Sequence, residues 1–464
     1  MSTDPIYFRS ATAIAKAIRE GEISAVEMVE LSLRRIGELN PKLNAVVTQC
    51  GERAIDEAHA ADRTLARGEV CGVLHGVPIT IKDSIETAGI LTTAGTEGLK
   101  RHVPDRDACV VAALRGAGAI VVGKSNTPEL TLSGETDNKI FGRSNNPYDL
   151  DKSPGGSSGG AAAILAAGGS ALDLGSDVGG SIREPAHFCG VVGIKPTSGR
   201  LPSTGHIPAS YGVLNSFAQI GPMARWIEDL ELTLPLLCGC DWQDPKVIPM
   251  PLRACNEVDL QALRVATYVD NGAMKPHDDV ACVVNEAARA SAAAGATVTS
   301  AVPEAIPDAI AIIPRLRNAE GGAPVRKALK LAGTTEPNPS LAYALDLPPA
   351  PPGAVLSGLL DDLDDIRRRM LLFMRDFDAI VCPVSPWTAR AHGFDSGQDR
   401  YAAWSHSMTY NLTGWPAVTV RAGTGADGLP VGVQVVARPW REDVALALAR
   451  QIEAALGGFR APNL

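Results

Sequence analysis

Glycine and serine are concentrated in one stretch of this chain, from Lys152 to Arg183, where GGSSGG occupies residues 155–160 and DVGGSIR occupies residues 177–183. Glycine has no Cβ atom, so it permits positive φ and lets the backbone approach a neighbouring group closely. Glycine-rich runs of this kind are typical of turns and shaped loops rather than of regular scaffold. The stretch is therefore a candidate functional site, although each cluster alone could equally be a pair of tight turns with incidental serines.

Helix and strand patterns alternate on both sides of this stretch. Residues 24–39 place apolar side chains on one helical face, open with an S-x-x-E capping box, and are followed by Asn40-Pro41, which is expected to end the helix. The β-rich residues 77–81 are expected to form a buried strand that delivers Lys82 at its end. Further helices are predicted at 107–116, 280–297 and 444–456, and further strands at 119–122, 379–381, 418–420 and 431–436. The sequence therefore predicts an α/β fold with a mixed or mostly parallel sheet.

Composition and charge argue against several classes of function. The formal net charge is −9 and no run of lysine or arginine stands out, so nucleic acid is not an expected partner. The start of the chain lacks the features of a signal peptide, and the most apolar stretch, residues 161–172, is too short and too interrupted by glycine to span a bilayer. Nine widely spread cysteines without a C-x-x-C pair indicate reduced thiols and no metal site. A cytoplasmic protein that does not bind membranes is expected.

Two short motifs match known patterns in the wrong context. Residues 118–125 fit the phosphate-binding pattern G-x-x-x-x-G-K-S, but the predicted strand lies between the two glycines instead of before them. Residues 155–159 fit the G-x-S-x-G nucleophile elbow, but the polar residues 145–154, with two prolines, cannot supply the strand that must lead into it. Neither nucleotide binding nor an α/β-hydrolase site is therefore expected.

The serine clusters could supply a serine nucleophile and an oxyanion site if a base lies close to the serine. The backbone N–H groups of Val178, Gly179, Gly180 and Ser181 could converge on one developing oxyanion. A serine nucleophile needs a base, and none of the eight histidines lies in a readable triad pattern. Lys82 could act if burial lowered its ordinary pKa of about 10.4 by roughly three pH units. A solvated lysine at the end of a strand remains the alternative from these residues alone.

A resemblance to a known family connects these features. Residues 155–200, GGSSGGAAAILAAGGSALDLGSDVGGSIREPAHFCGVVGIKPTSGR, resemble the signature region of the amidase signature family, and VPITIKD at 77–83 resembles its lysine motif. Weaker similarities, such as those of DAIVCPVSP and NLTGWPAVTV, extend over most of the chain and leave residues 240–370 as the divergent part. The resemblance implies an α/β fold with a single large mixed β-sheet flanked by helices on both faces. It also implies one domain over residues 1–464, in which 240–370 form the substrate pocket.

The resemblance further implies an activity and a set of catalytic residues. The spacings among Lys82, Ser157 and Ser181 agree with the family pattern. They imply hydrolysis of a carboxylic acid amide through an acyl-serine intermediate, with Ser181 as nucleophile, Ser157 as bridging proton carrier and Lys82 as base. In the family the bridging serine follows a cis peptide bond, so the Gly156–Ser157 bond is expected to be cis. No cofactor or metal is implied, and the expected partners are a small-molecule amide and, in a homodimer, a second copy of the chain.

Residues next to the catalytic set are expected to support it. Ser158 could orient Lys82 by a hydrogen bond, and Asp177 and Arg183 are expected to brace the glycine loop through an ion pair or backbone hydrogen bonds. Cys189 is expected to be buried packing. The aromatic candidates for the acyl pocket are Trp404, Tyr410 and Trp415, although core packing explains them equally well.

Three other functions remain open at this level. A glutaminase (A-type) subunit of a tRNA-dependent amidotransferase would share this signature and would require a protein partner and tRNA. Hydrolysis of a urea-derived amide would use the same chemistry. A binding protein that kept the fold and lost turnover is disfavoured, because all three catalytic residues are present.

Overall fold

A computed structural model describes residues 5–394 and 400–464 of the chain. The strands are β1 (Val46–Gln49), β2 (Pro78–Lys82), β3 (Ile120–Ser125), β4 (Leu172–Asp177), β5 (Val192–Lys195), β6 (Gln219–Ala224), β7 (Arg264–Thr267), β8 (Thr297–Ser300), β9 (Ala379–Pro383), β10 (Ala417–Thr424) and β11 (Pro430–Ala437). They form an eight-stranded sheet in the order β4-β6-β5-β10-β11-β9-β7-β8 and a three-stranded sheet in the order β1-β3-β2.

The α-helices are α1 (Ala11–Arg19), α2 (Ala25–Leu43), α3 (Gly51–Ala66), α4 (Cys109–Gly116), α5 (Gly159–Ala166), α6 (Arg183–Phe188), α7 (Ile227–Leu237), α8 (Asp278–Ala293), α9 (Ile306–Ala319), α10 (Ala323–Ala332), α11 (Ala342–Leu345), α12 (Gly353–Met374), α13 (Arg400–Ala403), α14 (Ser405–Leu412) and α15 (Glu442–Leu456). Within the described ranges, none of these helices is both long and apolar enough to cross a membrane.

The large sheet is mixed, with antiparallel pairs in the majority. Five neighbouring pairs, from β4 to β9 along the sheet order, are antiparallel. The two pairs that β7 makes, with β9 and with β8, are parallel. The mixed sheet is confirmed, whereas the alternative of a mostly parallel sheet is wrong. The strand that carries Lys82 lies in the small sheet, where β2 pairs in parallel with β3.

Helices cover both faces of the large sheet. Successive side chains of a strand point to opposite faces, and β11 shows what each face contacts. Val433 lies in the larger apolar core, to which α8 and α15 contribute. Its neighbour Gly432 faces α6, because a Cβ atom at Gly432 would lie 3.2 Å from the Cα atom of His187 in that helix. The predicted α/β arrangement, a large mixed sheet flanked by helices, is therefore confirmed.

The first long helix begins as predicted and ends later. Ser24 Oγ accepts from the Glu27 N–H at 3.1 Å, and the Glu27 carboxylate accepts from the Ser24 N–H at 2.8 Å, which completes the capping box. The helix continues through Pro41 to Leu43, so the predicted end at Asn40-Pro41 is wrong. Pro41 lies in the last turn, and the helix ends only where Asn44 adopts a left-handed conformation with φ 44°.

The phosphate-loop pattern at 118–125 is not a loop. Residues Ile120–Ser125 form the strand β3. A strand at this position is what was predicted when the phosphate-binding motif was rejected. Lys124 is fully buried, and its Nζ lies 2.8 Å from Thr87 Oγ1 and 3.2 Å from Thr92 Oγ1. The Lys124 ammonium group therefore donates hydrogen bonds to hydroxyl groups of the protein itself.

Candidate active site

Lys82 ends a strand that is buried along its whole length. Its side chain is fully buried, and Nζ is surrounded by three serine hydroxyls. Ser157 Oγ lies at 2.7 Å, Ser158 Oγ at 2.9 Å and Ser176 Oγ at 3.1 Å from Nζ. The two serine segments and the lysine strand, far apart in sequence, therefore meet at one nitrogen.

Burial determines the protonation of Lys82. Removal from water disfavours the ammonium form and lowers the pKa of Lys82 from 10.5 to about 7. The negative charges of Asp177 and Asp173 act in the opposite direction and limit this effect. A substantial fraction of the lysine is therefore neutral at neutral pH, which is the condition that a lysine base must meet.

The segment before α5 presents two serines toward Lys82. The Gly156–Ser157 peptide bond is cis, as expected. Ser157 and Ser158 are both buried, and Ser158 is the residue that precedes α5. The Ser158 N–H donates to the Ser181 carbonyl at 3.1 Å, so the two glycine-serine loops are joined directly.

Ser181 lies in the turn between β4 and α6. It is partly exposed and forms part of the wall of a cleft. Gly180 before it has φ 123°, a conformation that other residues rarely adopt, and a Cβ atom there would collide with Ser407. No hydrogen bond joins Ser181 Oγ to Ser157 Oγ in the part of the chain that the structure describes. The close contact of the predicted relay is thus formed between Lys82 and Ser157, and not between the two serines.

Asp177 and Arg183 brace the loop that carries Ser181. Both side chains are fully buried, and Arg183 Nε and Nη2 each lie 3.0 Å from an Asp177 carboxylate oxygen. Asp177 also accepts from Asn411 Nδ2 at 2.8 Å. Burial alone would raise the pKa of Asp177, but Arg183 and Asn411 outweigh it and hold that pKa well below its usual range. This is the ion pair expected from the sequence.

The four backbone N–H groups proposed to face an oxyanion differ in their partners. The Gly180 N–H donates to Asp177 Oδ1 at 2.8 Å, so it is occupied within the loop. The N–H groups of Val178, Gly179 and Ser181 donate to no acceptor among the described residues, and all three residues line the cleft. Three of the four groups are therefore free to face an external oxygen.

The cleft above Ser181 encloses about 1080 Å³, part of it open to solvent. Its walls come from the Ser181 loop, from α9 and α10, and from the segment around Trp404, which lines it as expected. Tyr410 and Trp415 do not line it. Both are buried in a core cluster, where Tyr410 Oη lies 2.7 Å from Tyr268 Oη, so their assignment to the pocket is wrong.

Several residues of the site were not identified from sequence. Ser176, the third hydroxyl at Lys82, precedes Asp177 within the signature stretch and lines a smaller, neighbouring cavity. Glu184 lines the main cleft three residues after Ser181. Both are polar residues within the signature stretch 155–200, and this position is the signal by which the sequence could have identified them. Cys189, in contrast, is buried as expected.

Comparison with known proteins identifies the family. The family model described as Amidase matches residues 27–446. A glutamyl-tRNA(Gln) amidotransferase subunit of Carboxydothermus hydrogenoformans is 34% identical, over 97% of this chain and 97% of that protein. Human fatty-acid amide hydrolase 2 is 30% identical, over 99% of this chain and 91% of that protein.

A solved structure agrees with these similarities. The structure of 6-aminohexanoate cyclic dimer hydrolase complexed with substrate superposes with a TM-score of 0.88 at 28% identity, covering 99% of both chains. The chain therefore belongs to the amidase signature family and is an enzyme that hydrolyses amide bonds.

Proposed function

We propose that the chain hydrolyses small carboxylic acid amides through an acyl-enzyme on Ser181, with Ser157 as proton carrier and Lys82 as base. The observation that carries the proposal is the 2.7 Å contact between the buried Lys82 Nζ and Ser157 Oγ. A base must lie within hydrogen-bond reach of the proton that it takes, with a pKa close to the working pH. The pKa of about 7 for Lys82 satisfies the second requirement.

In this mechanism the proton moves in two linked steps. Neutral Lys82 accepts a proton from Ser157, which accepts one from Ser181 as Ser181 Oγ attacks the amide carbon. The same path returns a proton to the leaving nitrogen, and water then hydrolyses the acyl-serine. The contact between the two serines would tighten when substrate binds, as catalytic hydrogen bonds commonly do on leaving the ligand-free state.

The N–H groups of Val178, Gly179 and Ser181 would stabilise the oxyanion of the tetrahedral intermediate. They are free in the loop and line the cleft beside the nucleophile. Asp177 and Arg183 act indirectly, because they hold the loop that presents these groups. Ser158 would orient Lys82 and join the two loops.

We also propose that residues 240–370, within a single domain of residues 1–464, determine which acyl group is accepted. Ile313, Val325 and Ala328 from this section line the cleft with mostly apolar surface. The preferred substrates would then be amides with aliphatic or aromatic acyl groups. A cytoplasmic location is compatible with nine cysteines that are all free. A homodimer is expected from the family resemblance, and light scattering of the purified chain tests it.

The test is ammonia release from a panel of aliphatic and aryl amides by the purified chain, combined with fluorophosphonate labelling. Ser181→Ala should lose both activity and labelling, and Lys82→Ala and Ser157→Ala should lose most activity. Ser198→Ala is a matched control, because Ser198 Oγ is buried, has no hydrogen-bond partner among the described residues and lies outside the cleft. Full activity of Lys82→Ala would contradict the relay.

A second candidate is the glutaminase subunit of a tRNA-dependent amidotransferase. It is favoured by the 34% identity to an amidotransferase subunit over 97% of the chain. Ammonia release from glutamine only in the presence of a co-purifying protein would support it, whereas robust hydrolysis of aryl or aliphatic amides by the isolated chain would exclude it. The same panel, extended to biuret and allophanate, tests urea-derived substrates.

A further inference from the structure

Glu184 places a buried carboxyl group in the wall of the cleft beside the nucleophile. It is the second residue of α6 and is only 5% exposed, yet it lines the cleft. Its backbone N–H donates to the Gly180 carbonyl at 2.7 Å, so the turn from Gly180 to Glu184 is helical. The side-chain oxygens accept no hydrogen bond from any described residue. An acceptor without a donor therefore faces the space in which substrate would lie.

Arg390 is the cationic side chain nearest to this carboxyl group among the described residues, and it does not saturate the carboxyl group. Arg390 Nη2 lies 3.7 Å from Glu184 Oε1, which is too far for a hydrogen bond. The guanidinium is held by stacking, 4.7 Å above the Trp387 ring and 4.3 Å above the Phe394 ring. The arginine supplies opposite charge but no directed hydrogen bond, so both Glu184 oxygens keep their capacity to accept one.

A second glutamate in the same cleft, Glu320, differs because it has a hydrogen-bond donor in the protein. Glu320 Oε1 accepts from the Val213 N–H at 2.8 Å, and the side chain is only partly buried. Most buried polar groups in native structures have a hydrogen-bond partner in the protein or in ordered water, so a carboxylate that faces a cleft without a protein donor can accept a hydrogen bond from a ligand. Glu184 lines the cleft and has no donor among the described residues, whereas Glu320 has one.

We propose that Glu184 is a substrate-binding residue that accepts a hydrogen bond from a nitrogen donor close to the scissile carbonyl, so that the enzyme prefers amides bearing a second nitrogen. This inference rests on the proposed function, because it takes Ser181 as the nucleophile. Residues three apart on a helical turn have Cβ atoms about 5–6 Å apart. A donor bound by Glu184 would therefore lie only a few bonds from the carbon that Ser181 attacks, as in β-amino amides.

The charge of Glu184 gives the preference a pH dependence. Burial raises the pKa of Glu184 to about 7, against the opposing effect of Arg390, while Asp177 raises it further and Arg183 lowers it. Glu184 is thus increasingly ionised as the pH rises through about 7, and its preference for a cationic donor rises with it. The titration of Lys82 affects all substrates alike and cancels in a ratio of two kcat/KM values.

The test compares 3-aminopropanamide with butanamide, which have the same shape and differ in an ammonium or a methyl group. We expect kcat/KM for the amino amide to exceed that for butanamide by about ten- to hundredfold, the range for a hydrogen bond to a charged group. Glu184→Gln should reduce this ratio about tenfold or more and abolish its rise with pH. Glu320→Gln, the matched control, should leave the ratio unchanged.

Succinamide carries its second nitrogen in a neutral amide group, so it tests whether the donor bound by Glu184 is neutral or cationic. If its advantage over butanamide survives in Glu184→Gln and disappears in Glu184→Met, the donor is a neutral N–H group. If the advantage of 3-aminopropanamide alone disappears in Glu184→Gln, the donor is an ammonium group. A ratio near one in the wild-type enzyme, or an unchanged ratio in both Glu184 variants, would overturn the inference.

Binding to the Ser181→Ala variant keeps this inference separate from the catalytic proposal. Ligand-observed NMR titrations of the same amides, with and without Glu184→Gln on that background, measure the preference without turnover. If wild type hydrolyses neither amide but binding still depends on Glu184, the proposed function fails and the binding site stands. If both amides are hydrolysed by a Ser181-dependent reaction, and neither the kcat/KM ratio nor the binding ratio depends on Glu184, the proposed function stands and the inference about Glu184 fails.

Discussion

Replacing Lys82 with methionine should abolish activity and change how the free energy of unfolding depends on pH. Burial lowers the pKa of Lys82 from 10.5 to about 7 in the folded chain. Between these two values the unfolded chain binds one proton more than the folded chain at this position. Stability therefore rises with pH across this window, and it is lost as the pH falls toward the folded-state pKa.

The magnitude follows from the two pKa values. Each factor of ten in proton affinity corresponds to about 1.4 kcal/mol, so the full effect is about 5 kcal/mol. Between pH 7 and pH 9 the titration of Lys82 raises the free energy of unfolding by about 2 kcal/mol, because Lys82 in the folded chain is still half protonated at pH 7. Lys82→Met has no proton to bind, so the wild-type free energy of unfolding should gain about 2 kcal/mol more than that of the variant over this interval.

Urea unfolding followed by tryptophan fluorescence at pH 7 and pH 9 measures this difference. Other titrating groups are common to both chains and cancel in the comparison. Lys327→Met is the matched control, because Lys327 is an exposed lysine on α10 and its loss should leave the wild-type pH response intact. An equal response of Lys82→Met and wild type would show that Lys82 keeps its ordinary proton affinity, and the argument for a neutral lysine base would fail.

Three further perturbations have defined outcomes. The rate constant kcat/KM of the wild-type enzyme should rise with pH to a plateau, with a midpoint near 7 set by Lys82, and a pH-independent rate from pH 5 to 9 would contradict this. Ser24→Ala removes a helix cap and should lower the free energy of unfolding by about 1 kcal/mol in urea titrations, without a change in kcat. Arg200→Met leaves Glu442 buried without its 2.8 Å ion-pair partner and should cost about 3–5 kcal/mol, and a loss under 1 kcal/mol would show that the pair is dispensable.

Local patterns predicted the elements of the fold better than their ends. The capping box of α2 and the strand that presents Lys82 depend on a few neighbouring residues, so the sequence specifies both. The end of α2 depends instead on Asn44, whose left-handed conformation lets the helix run past a proline. The strand predicted at 119–122 continues to Ser125, because β1 and β2 pair with it on both sides. Pairing with distant strands is not visible in a local pattern.

The candidate site was predictable where it follows a motif and not where it depends on tertiary contacts. Lys82 and Ser157 were identified through the resemblance, and the structure places their side chains in contact. Residue type alone could not separate Trp404, which lines the cleft, from Trp415, which packs in the core. Both are large and apolar, and only the packing of the helices around them distinguishes their positions. Arg390 was missed for the same reason, since nothing near it in sequence indicates that it approaches Glu184.

The brace and the base of the proposed mechanism are electrostatically connected. Asp177 is the largest source of negative charge that favours the ammonium form of Lys82. Its carboxylate is also bound by Arg183 through two 3.0 Å contacts, which place a compensating positive charge beside it. Charges interact more strongly in a low-dielectric interior than in water, and Lys82, Asp177 and Arg183 are all fully buried. The ion pair that holds the Ser181 loop therefore includes the carboxylate that most favours the ammonium form of Lys82, and burial outweighs that effect to leave the pKa of Lys82 at about 7.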